Sequence, residues 1–268
     1  MRERAAAKVN LCLLVGPLRS DGRHELASVM VPITIFDELE MRDGERDEVI
    51  CPGVEGPNLA ESALAAFRAA TGWDGPGQRV EIRKRIPVAA GLAGGSADAA
   101  AVLRLCSRRS GVGDAAALRA IAAGLGSDVP ALVEPRAVLV RGGGERVEPV
   151  TVGPLALLVL PSPARLSTAE VYAQADRLRA PRTTAELAAL DPLAMTSVND
   201  LQDAAISLEP TIAPALAAVR EAGASHAMVC GSGPTVVGLF ATASAAEDAH
   251  TRLRESGREA LVAVSYGD

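Results

Sequence analysis

The chain has 268 residues, 49% of them apolar, and a formal charge of −6 at pH 7. That length can bury a sizeable core in one large or two medium domains. The acidic balance argues against a general nucleic-acid binder, whose affinity rests on neutralising phosphates, and apolar runs such as 155–160 are far too short to span a bilayer.

Arg2 and Arg4 precede an apolar stretch, but Lys8 and Asn10 interrupt it, so no signal peptide is expected. Residues 5–15, 26–35 and 38–42 are apolar or β-branched runs separated by Pro17, Gly22 and Asp37, and read as strands. Residues 58–70 have helical spacing, with Leu59, Leu64, Ala65 and Phe67, and Gly72 stops the helix. Residues 78–86 alternate as a strand through Val80, Ile82 and Ile86, and Arg83-Lys84-Arg85 is the one dense basic run. A Gly-rich loop follows, then an Ala-rich helix to about Arg108 and another over 114–124. Residues 126–130 read as a tight turn, and 137–141 with 145–150 as a hairpin across Gly142-Gly-Gly144.

The second half starts near Gly153-Pro154. Residues 155–160 are a buried strand ended by Pro161 and Pro163. Helices over 168–178, 184–190, 210–222 and 245–255 and strands at 227–229, 235–240 and 260–264 complete the chain. Strands and helices mix without a regular βαβ alternation, so the expectation is an α+β fold in two lobes, 1–152 and 153–268. Cys12, Cys51, Cys106 and Cys230 show no C-x-x-C spacing, and with three scattered histidines they make a poor metal constellation. Buried free thiols in a soluble, cytoplasmic protein are expected.

The densest chemistry lies in Pro87, Val88, Ala89, Ala90, Gly91, Leu92, Ala93, Gly94, Gly95, Ser96 and Ala97. Glycines let backbone N–H groups close around an oxyanion, and the helix that follows adds unpaired donors and the positive end of its dipole. The loop is not a Walker loop, because the chain has no Gly-Lys pair. Nor is G-x-x-G-G-S the G-x-G-x-x-G of a dinucleotide site. It reads as a phosphate loop of another kind.

Three other segments belong with it. Lys8 and Asn10 alternate on an early strand, so both face one way. Gly126-Ser-Asp-Val-Pro130 presents the carboxylate of Asp128 from a turn, and Gly231-Ser-Gly-Pro234 is a second Gly-rich loop. Of 27 basic residues only Lys8 and Lys84 are lysines, which marks them as positions where a broad guanidinium does not serve. Plainer readings stand beside these: strand edge, hairpin turn, residual lysines, and Asp128 as the cap of a short helix.

In this order the segments resemble the galactokinase, homoserine kinase, mevalonate kinase and phosphomevalonate kinase (GHMP) superfamily. Within it the similarity is to the branch whose acceptor is 4-diphosphocytidyl-2-C-methyl-D-erythritol, in non-mevalonate isoprenoid synthesis. Ala7-Lys-Val-Asn10, Asp21-Gly-Arg-His-Glu-Leu26, Pro87 to Ala100, Gly126-Ser-Asp-Val-Pro130, Asn199-Asp-Leu201 and Gly231-Ser-Gly-Pro-Thr235 carry it, across residues 5–240. The resemblance implies a ferredoxin-like C-terminal lobe and a cleft where ATP, with Mg²⁺, meets the acceptor. It gives Asp128 the role of catalytic base and Lys8 that of its partner. The loop from Pro87 to Ala97 would hold the phosphates, with Ser96 nearest the Mg²⁺-bearing unit and no metal ligand otherwise assigned. Asn58 and Lys84 would line the adenine pocket. Asn10, Arg23, His24, Thr168 and Tyr172 fall on the acceptor side, with His24 contacting cytosine and Tyr172 stacked on it.

One position departs from the pattern. Where the family usually carries tyrosine, this chain has Arg23, whose guanidinium can stack on a base by cation–π contact or can mark a changed acceptor. Another alcohol kinase of the superfamily, acting on homoserine or a mevalonate derivative, and a non-catalytic nucleotide-binding module remain open. The expected partner is a small molecule, with no nucleic acid or membrane, and the chain a monomer or weak homodimer.

Overall fold

A computed structural model describes residues 1–54, 56–189, 191–194 and 197–267. Two long strands organise the first lobe: β1 (Arg2–Leu18) and β2 (His24–Gly44), paired antiparallel along most of their length. The chain continues through β3 (Glu48–Ile50), α1 (Leu59–Thr71), β4 (Gly77–Arg83), α2 (Gly94–Ser110), α3 (Ala115–Ala123) and α4 (Val129–Leu132). The hairpin β5 (Val138–Gly142) and β6 (Arg146–Pro149) closes the lobe. The strands run β3-β4-β2-β1 across one sheet, and β5 joins the other half of β2. Alternation sets the faces: Gln78, Val80 and Ile82 of β4 are buried, while Arg79, Glu81 and Arg83 face solvent. Local chemistry sets the helix ends. Asn58 and Asp114 cap α1 and α3 through their side chains, and left-handed Gly72 and Gly111 end α1 and α2.

The second sheet comprises β7 (Ala156–Leu160), β9 (His226–Val229), β10 (Val236–Phe240) and β11 (Leu261–Val264). Between β7 and β9 come α5 (Thr168–Leu178), α6 (Thr184–Ala189), a 3₁₀ turn at Pro192–Ala194, β8 (Val198–Asn199), α7 (Gln202–Leu208) and α8 (Ile212–Glu221). The last helix, α9 (Ala243–Glu255), links β10 to β11. The order β11-β7-β10-β9, all antiparallel, is the split βαβ arrangement of a ferredoxin-like lobe. Among the described residues no helix is long and apolar enough to cross a membrane.

β7 explains why 155–160 is an unbroken apolar run. Leu157 and Val159 pack into the core beneath the first sheet, and Leu158 and Leu160 into that of the second lobe. A strand covered on both faces has no solvent side to make polar. The segment after α5 also returns to the first lobe, where β8 pairs parallel with β1 at Cys12 and Leu13.

Three expectations need correction. Asp37 does not end a strand; β2 runs through it, because its buried carboxylate accepts from Lys84 Nζ and from the N–H groups of Arg85 and Ile86. Residues 126–130 are more than a turn, since α4 starts at Val129. β3, β8 and α7 have no counterpart in the sequence reading, being too short to show a period. Leu190, the last residue of the expected 184–190 helix, lies outside the described residues.

Asp200 ties the second half to β1. Its buried carboxylate accepts from the Val15 N–H (3.0 Å) and from Arg182 (2.6 and 2.9 Å), and pairs with Arg179. Burial pushes this carboxyl up, but Arg182, the Val15 N–H and Arg179 together outweigh it and hold it below its ordinary value. A depressed carboxylate stabilises the fold above the ordinary carboxylate range, and that contribution fades as pH falls through the folded-state value. Asp200→Asn is therefore expected to cost about 2 kcal/mol of unfolding free energy at pH 7, with the deficit shrinking below about pH 4. Equal urea midpoints for parent and variant at pH 7 would show that this junction carries no net stability.

Candidate active site

Alternation on β1 puts Lys8 and Asn10 on one face, and both are almost wholly buried. The pairing with β2 shifts register between Ala6 and Lys8, opposite Pro32, whose carbonyl is taken by the Tyr266 N–H at 2.9 Å. The Lys8 N–H instead donates to Leu92 O at 3.1 Å, docking the Gly-rich loop on the strand. Lys8 Nζ donates to Asn10 Oδ1 (2.8 Å), Asn10 Nδ2 to Ser28 Oγ (2.7 Å), and Ser28 Oγ to Cys12 O (2.6 Å). This chain fixes both the amide and the ammonium. A compact ammonium on a slim stem suits such a slot; a guanidinium fork does not.

Lys8 Nζ also stands 3.4 Å from Asp128 Oδ2. Asp128 occupies the capping position of α4, yet its side chain makes no cap hydrogen bond. The carboxylate is instead turned to Lys8 and keeps 27% of its surface open. That geometry disposes of the helix-cap reading.

Opposite this pair lies the Gly-rich loop. Ala89 (φ +56°), Gly91 (φ +71°) and Ala93 (φ +57°) are left-handed at alternate positions, a backbone zigzag that makes an anion-binding concavity. Holding an alanine there costs on the order of 1 kcal/mol each. Ala93 precedes α2 and supplies no side-chain cap, so the first N–H groups of the helix, from Gly94, Gly95 and Ser96, are left for a ligand. A Cβ on Gly95 would have only Leu59 within reach, at 3.9 Å, so the approach is open. Ala90 and Leu92 are buried anchors, while Val88 and Ala89 are exposed.

The stem of the loop is held by charges that sequence reasoning missed. Lys84 Nζ donates to Asp37 Oδ2 (2.5 Å) and Asp98 Oδ2 (2.6 Å), and Asp37 Oδ1 takes the N–H groups of Arg85 (2.5 Å) and Ile86 (2.9 Å). Lys84 lines the cleft, but its ammonium is committed to clamping β2 and α2 under the loop. Desolvation lowers that ammonium, and the two carboxylates more than offset it, leaving it above its ordinary value. Burial first, then the nearby Asp37, hold the Asp98 carboxyl up against the pull of Lys84. The signal for Asp98 was a lone acid in an alanine-rich helix; Asp37, followed by Glu38 and Glu40 on the same strand, carried none.

A cleft of about 440 Å³ joins these parts. Lys8, Asn10, Asn58, Lys84, the loop from Pro87 to Ser96, Asp128, Thr168 and Tyr172 all line it, together with Gly231 and Ser232. Three expected site residues do not. Ala97 is buried in α2, and Arg23 lies against the Gly143 turn. His24 sits behind Tyr172, with ring centroids 5.1 Å apart and planes at 30°. His24 Nδ1 donates to Gly16 O (2.9 Å) and Nε2 lies 3.4 Å from Asp176, so the ring that backs Tyr172 is itself fixed. Burial, then the charge of Asp128, pushes the Tyr172 hydroxyl up. Thr168 Oγ1 shares a 3.0 Å hydrogen bond with Ser232 Oγ. Among the described residues no cluster of three His, Cys, Asp or Glu could hold a metal ion. The hydroxyl of Ser96 and the Asp128 carboxylate fit only an ion that arrives with most of its oxygens already supplied.

Two family models match the chain: "GHMP kinases N terminal domain" over residues 58–134 and "GHMP kinases C terminal" over 181–259. A 4-diphosphocytidyl-2-C-methyl-D-erythritol kinase of Salinispora tropica is 46% identical over 92% of this chain and 85% of its own length. The crystal structure of a 4-(cytidine 5'-diphospho)-2C-methyl-D-erythritol kinase superposes with a TM-score of 0.83 at 32% identity, covering all of both chains. A mevalonate kinase at 11% identity and a TM-score of 0.71, over all of both chains, shares the fold. The chain belongs to the GHMP kinases, in the family of 4-diphosphocytidyl-2-C-methyl-D-erythritol kinases.

Proposed function

We propose that this chain transfers the γ-phosphoryl group of ATP to the 2-hydroxyl of 4-diphosphocytidyl-2-C-methyl-D-erythritol. Its family makes it an ATP-dependent small-molecule kinase; the acceptor is the further step. The observation that carries the reading is the Lys8–Asp128 pair, buried at its cationic end and open at its anionic end, in the cleft lined by the Gly-rich loop.

The chemistry follows from that arrangement. Asp128, with an ammonium 3.4 Å away and no cap bond to satisfy, takes the proton of the acceptor hydroxyl as the new O–P bond forms. Lys8 stabilises the negative charge developing on that oxygen, and Asn10 holds the ammonium in place. The N–H groups of the loop and of the start of α2 cradle the β- and γ-phosphates, so the transferring group is positioned rather than covalently engaged. Mg²⁺ arriving with the nucleotide would supply charge neutralisation at the phosphates, and the Ser96 hydroxyl is the side chain that would help hold it. Tyr172, backed by His24, offers the cytosine a face, a contact worth about 1–3 kcal/mol. Arg23 stands at the position of the usual second aromatic, but it packs on the Gly143 turn outside the cleft lining, so stacking on the cytosine requires its side chain to turn toward the cleft.

ADP release on adding 4-diphosphocytidyl-2-C-methyl-D-erythritol, but not homoserine or mevalonate, tests the assignment directly. In the same assay Asp128→Asn is expected to lower kcat about a thousandfold while ATP binding persists. An unchanged kcat would remove Asp128 from the role of base. Lys8→Arg keeps the charge but cannot fit the slot, and should cost about a hundredfold in kcat; parent-like turnover would contradict the size argument. Arg23→Tyr should bind a cytidine nucleotide within about tenfold of the parent. If titration shows binding abolished, stacking is not what Arg23 supplies.

A further inference from the structure

Asn199 lies far from the Lys8–Asp128 pair in sequence and outside the cleft lining, yet its side chain is the most fully committed amide near the site. It closes β8, beside Leu13 of β1. Its Nδ2 donates to Val229 O and to Gly231 O, both at 2.8 Å, and its Oδ1 accepts from the Leu201 N–H at 2.9 Å. One amide therefore ties the end of β9 and the first residue of the second Gly-rich loop to the strand next to β1.

That loop touches every part of the site. Gly231 (φ +57°) passes over the catalytic strand so closely that a Cβ there would stand 3.6 Å from Lys8 Nζ, 3.7 Å from Asn10 Oδ1 and 3.2 Å from Gly91 O. On the acceptor side, Ser232 bonds Thr168 at the start of α5, the helix that carries Tyr172. The phosphate loop abuts Cys230 but keeps anchors of its own in the Lys8 N–H and in Asp37. The second loop has Asn199.

We propose that Asn199 is a positioning residue for phosphoryl transfer: it holds the Cys230–Gly233 loop over Lys8 so that the acceptor bound near Thr168 stays in line with the phosphoryl group. The proposal rests on the kinase reading above. Losing the two donated bonds lets the loop lift from Lys8 and carries Ser232 away from Thr168. Sub-ångström to ångström misplacement of reacting groups is costly in rate. The donor site, anchored separately, is spared.

Asn199→Asp tests this, because it keeps size and the Leu201 contact while turning the one nitrogen that donates both bonds into an oxygen that faces two carbonyls. In steady-state kinetics the variant is expected to lose about thirtyfold in kcat and to raise the acceptor KM about tenfold, with the Kd for a non-hydrolysable ATP analogue within about twofold. A merely structural role would lower the Tm and the active fraction but leave the acceptor KM of the surviving enzyme unchanged; that result overturns the proposal. Ser232→Ala, at a solvent-accessible hydroxyl, serves if Asn199→Asp does not fold. It should raise the acceptor KM about fivefold with ATP binding intact, and an unchanged KM overturns the proposal. In a double-mutant cycle the two substitutions should be sub-additive in kcat/KM, since both act through one loop; strict additivity also overturns it. Absence of transfer by the parent protein would refute both this proposal and the kinase reading, whereas an active parent with a parent-like Asn199→Asp refutes this one alone.

Discussion

A Cβ on Gly91 would stand 2.4 Å from the carbonyl oxygen of Cys230, so the two lobes meet at the site through bare backbone. No side chain intervenes, and neither loop can move toward the other. Cys230 is wholly buried beneath the contact, and its thiol lies 3.5 Å from Gly91 O. Burial pushes that thiol up, so it fills space as a neutral group and not as a thiolate. The close approach fixes the width of the cleft from one side, while the packing of β7 between the two cores fixes it from behind. Lys8 sits where these constraints cross, under Gly231 and beside Leu92 O.

The charges follow the same logic. An ion in a protein interior is tolerated when hydrogen bonds replace the water it lost. Lys8 is held by Asn10 and Asp128, and Lys84 by Asp37 and Asp98. The difference between the two lysines is the exposure of their partners. Asp128 keeps a face to the cleft, whereas Asp37 and Asp98 are sealed. One pair can exchange a proton with a ligand; the other trio fastens the stem of the phosphate loop. Asp98 Oδ1 has no hydrogen-bond partner among the described residues, which fits the upward push on its carboxyl.

What the sequence disclosed follows from this division. Segments whose chemistry is local were readable: the Gly72 helix stop, the 142–144 hairpin, the apolar run of β7, and the glycines and Ser96 at a helix entrance. So was the pairing of Lys8 with Asn10, because strand alternation needs no knowledge of the fold. What stayed hidden needs a partner distant in sequence. Asp37 read as a strand break because its three donors lie 47–49 residues away. Lys84 lines the cleft, but its clamp was not readable, because nothing local reveals Asp98 on the buried side of α2. Asn199 matched a motif without a role, since Val229 and Gly231 come to it only after the second lobe folds back. Short elements such as β3 and β8 exist only as neighbours of longer strands, and carry no periodicity of their own.

Ala89 and Ala93 show how firmly the loop is held. Both are held left-handed, where glycine would be unstrained, and both line the cleft. An alanine at these φ values disfavours the loop conformation, so the surrounding structure must hold it there. The strain is absorbed because the loop is over-determined: Asp37 grips its stem, Leu92 is tied to β1, and Gly91 abuts Cys230. Glycine is kept at Gly91, where the Cys230 carbonyl excludes any Cβ, and at Gly94, where a Cβ would press Ile86 and Lys84 at 3.1 and 3.3 Å. The pattern of Gly and Ala along the loop thus records two separate demands. At Gly91 and Gly94 another group comes too close for a Cβ, whereas Gly95, with only Leu59 at 3.9 Å, keeps the approach to the helix N–H groups open.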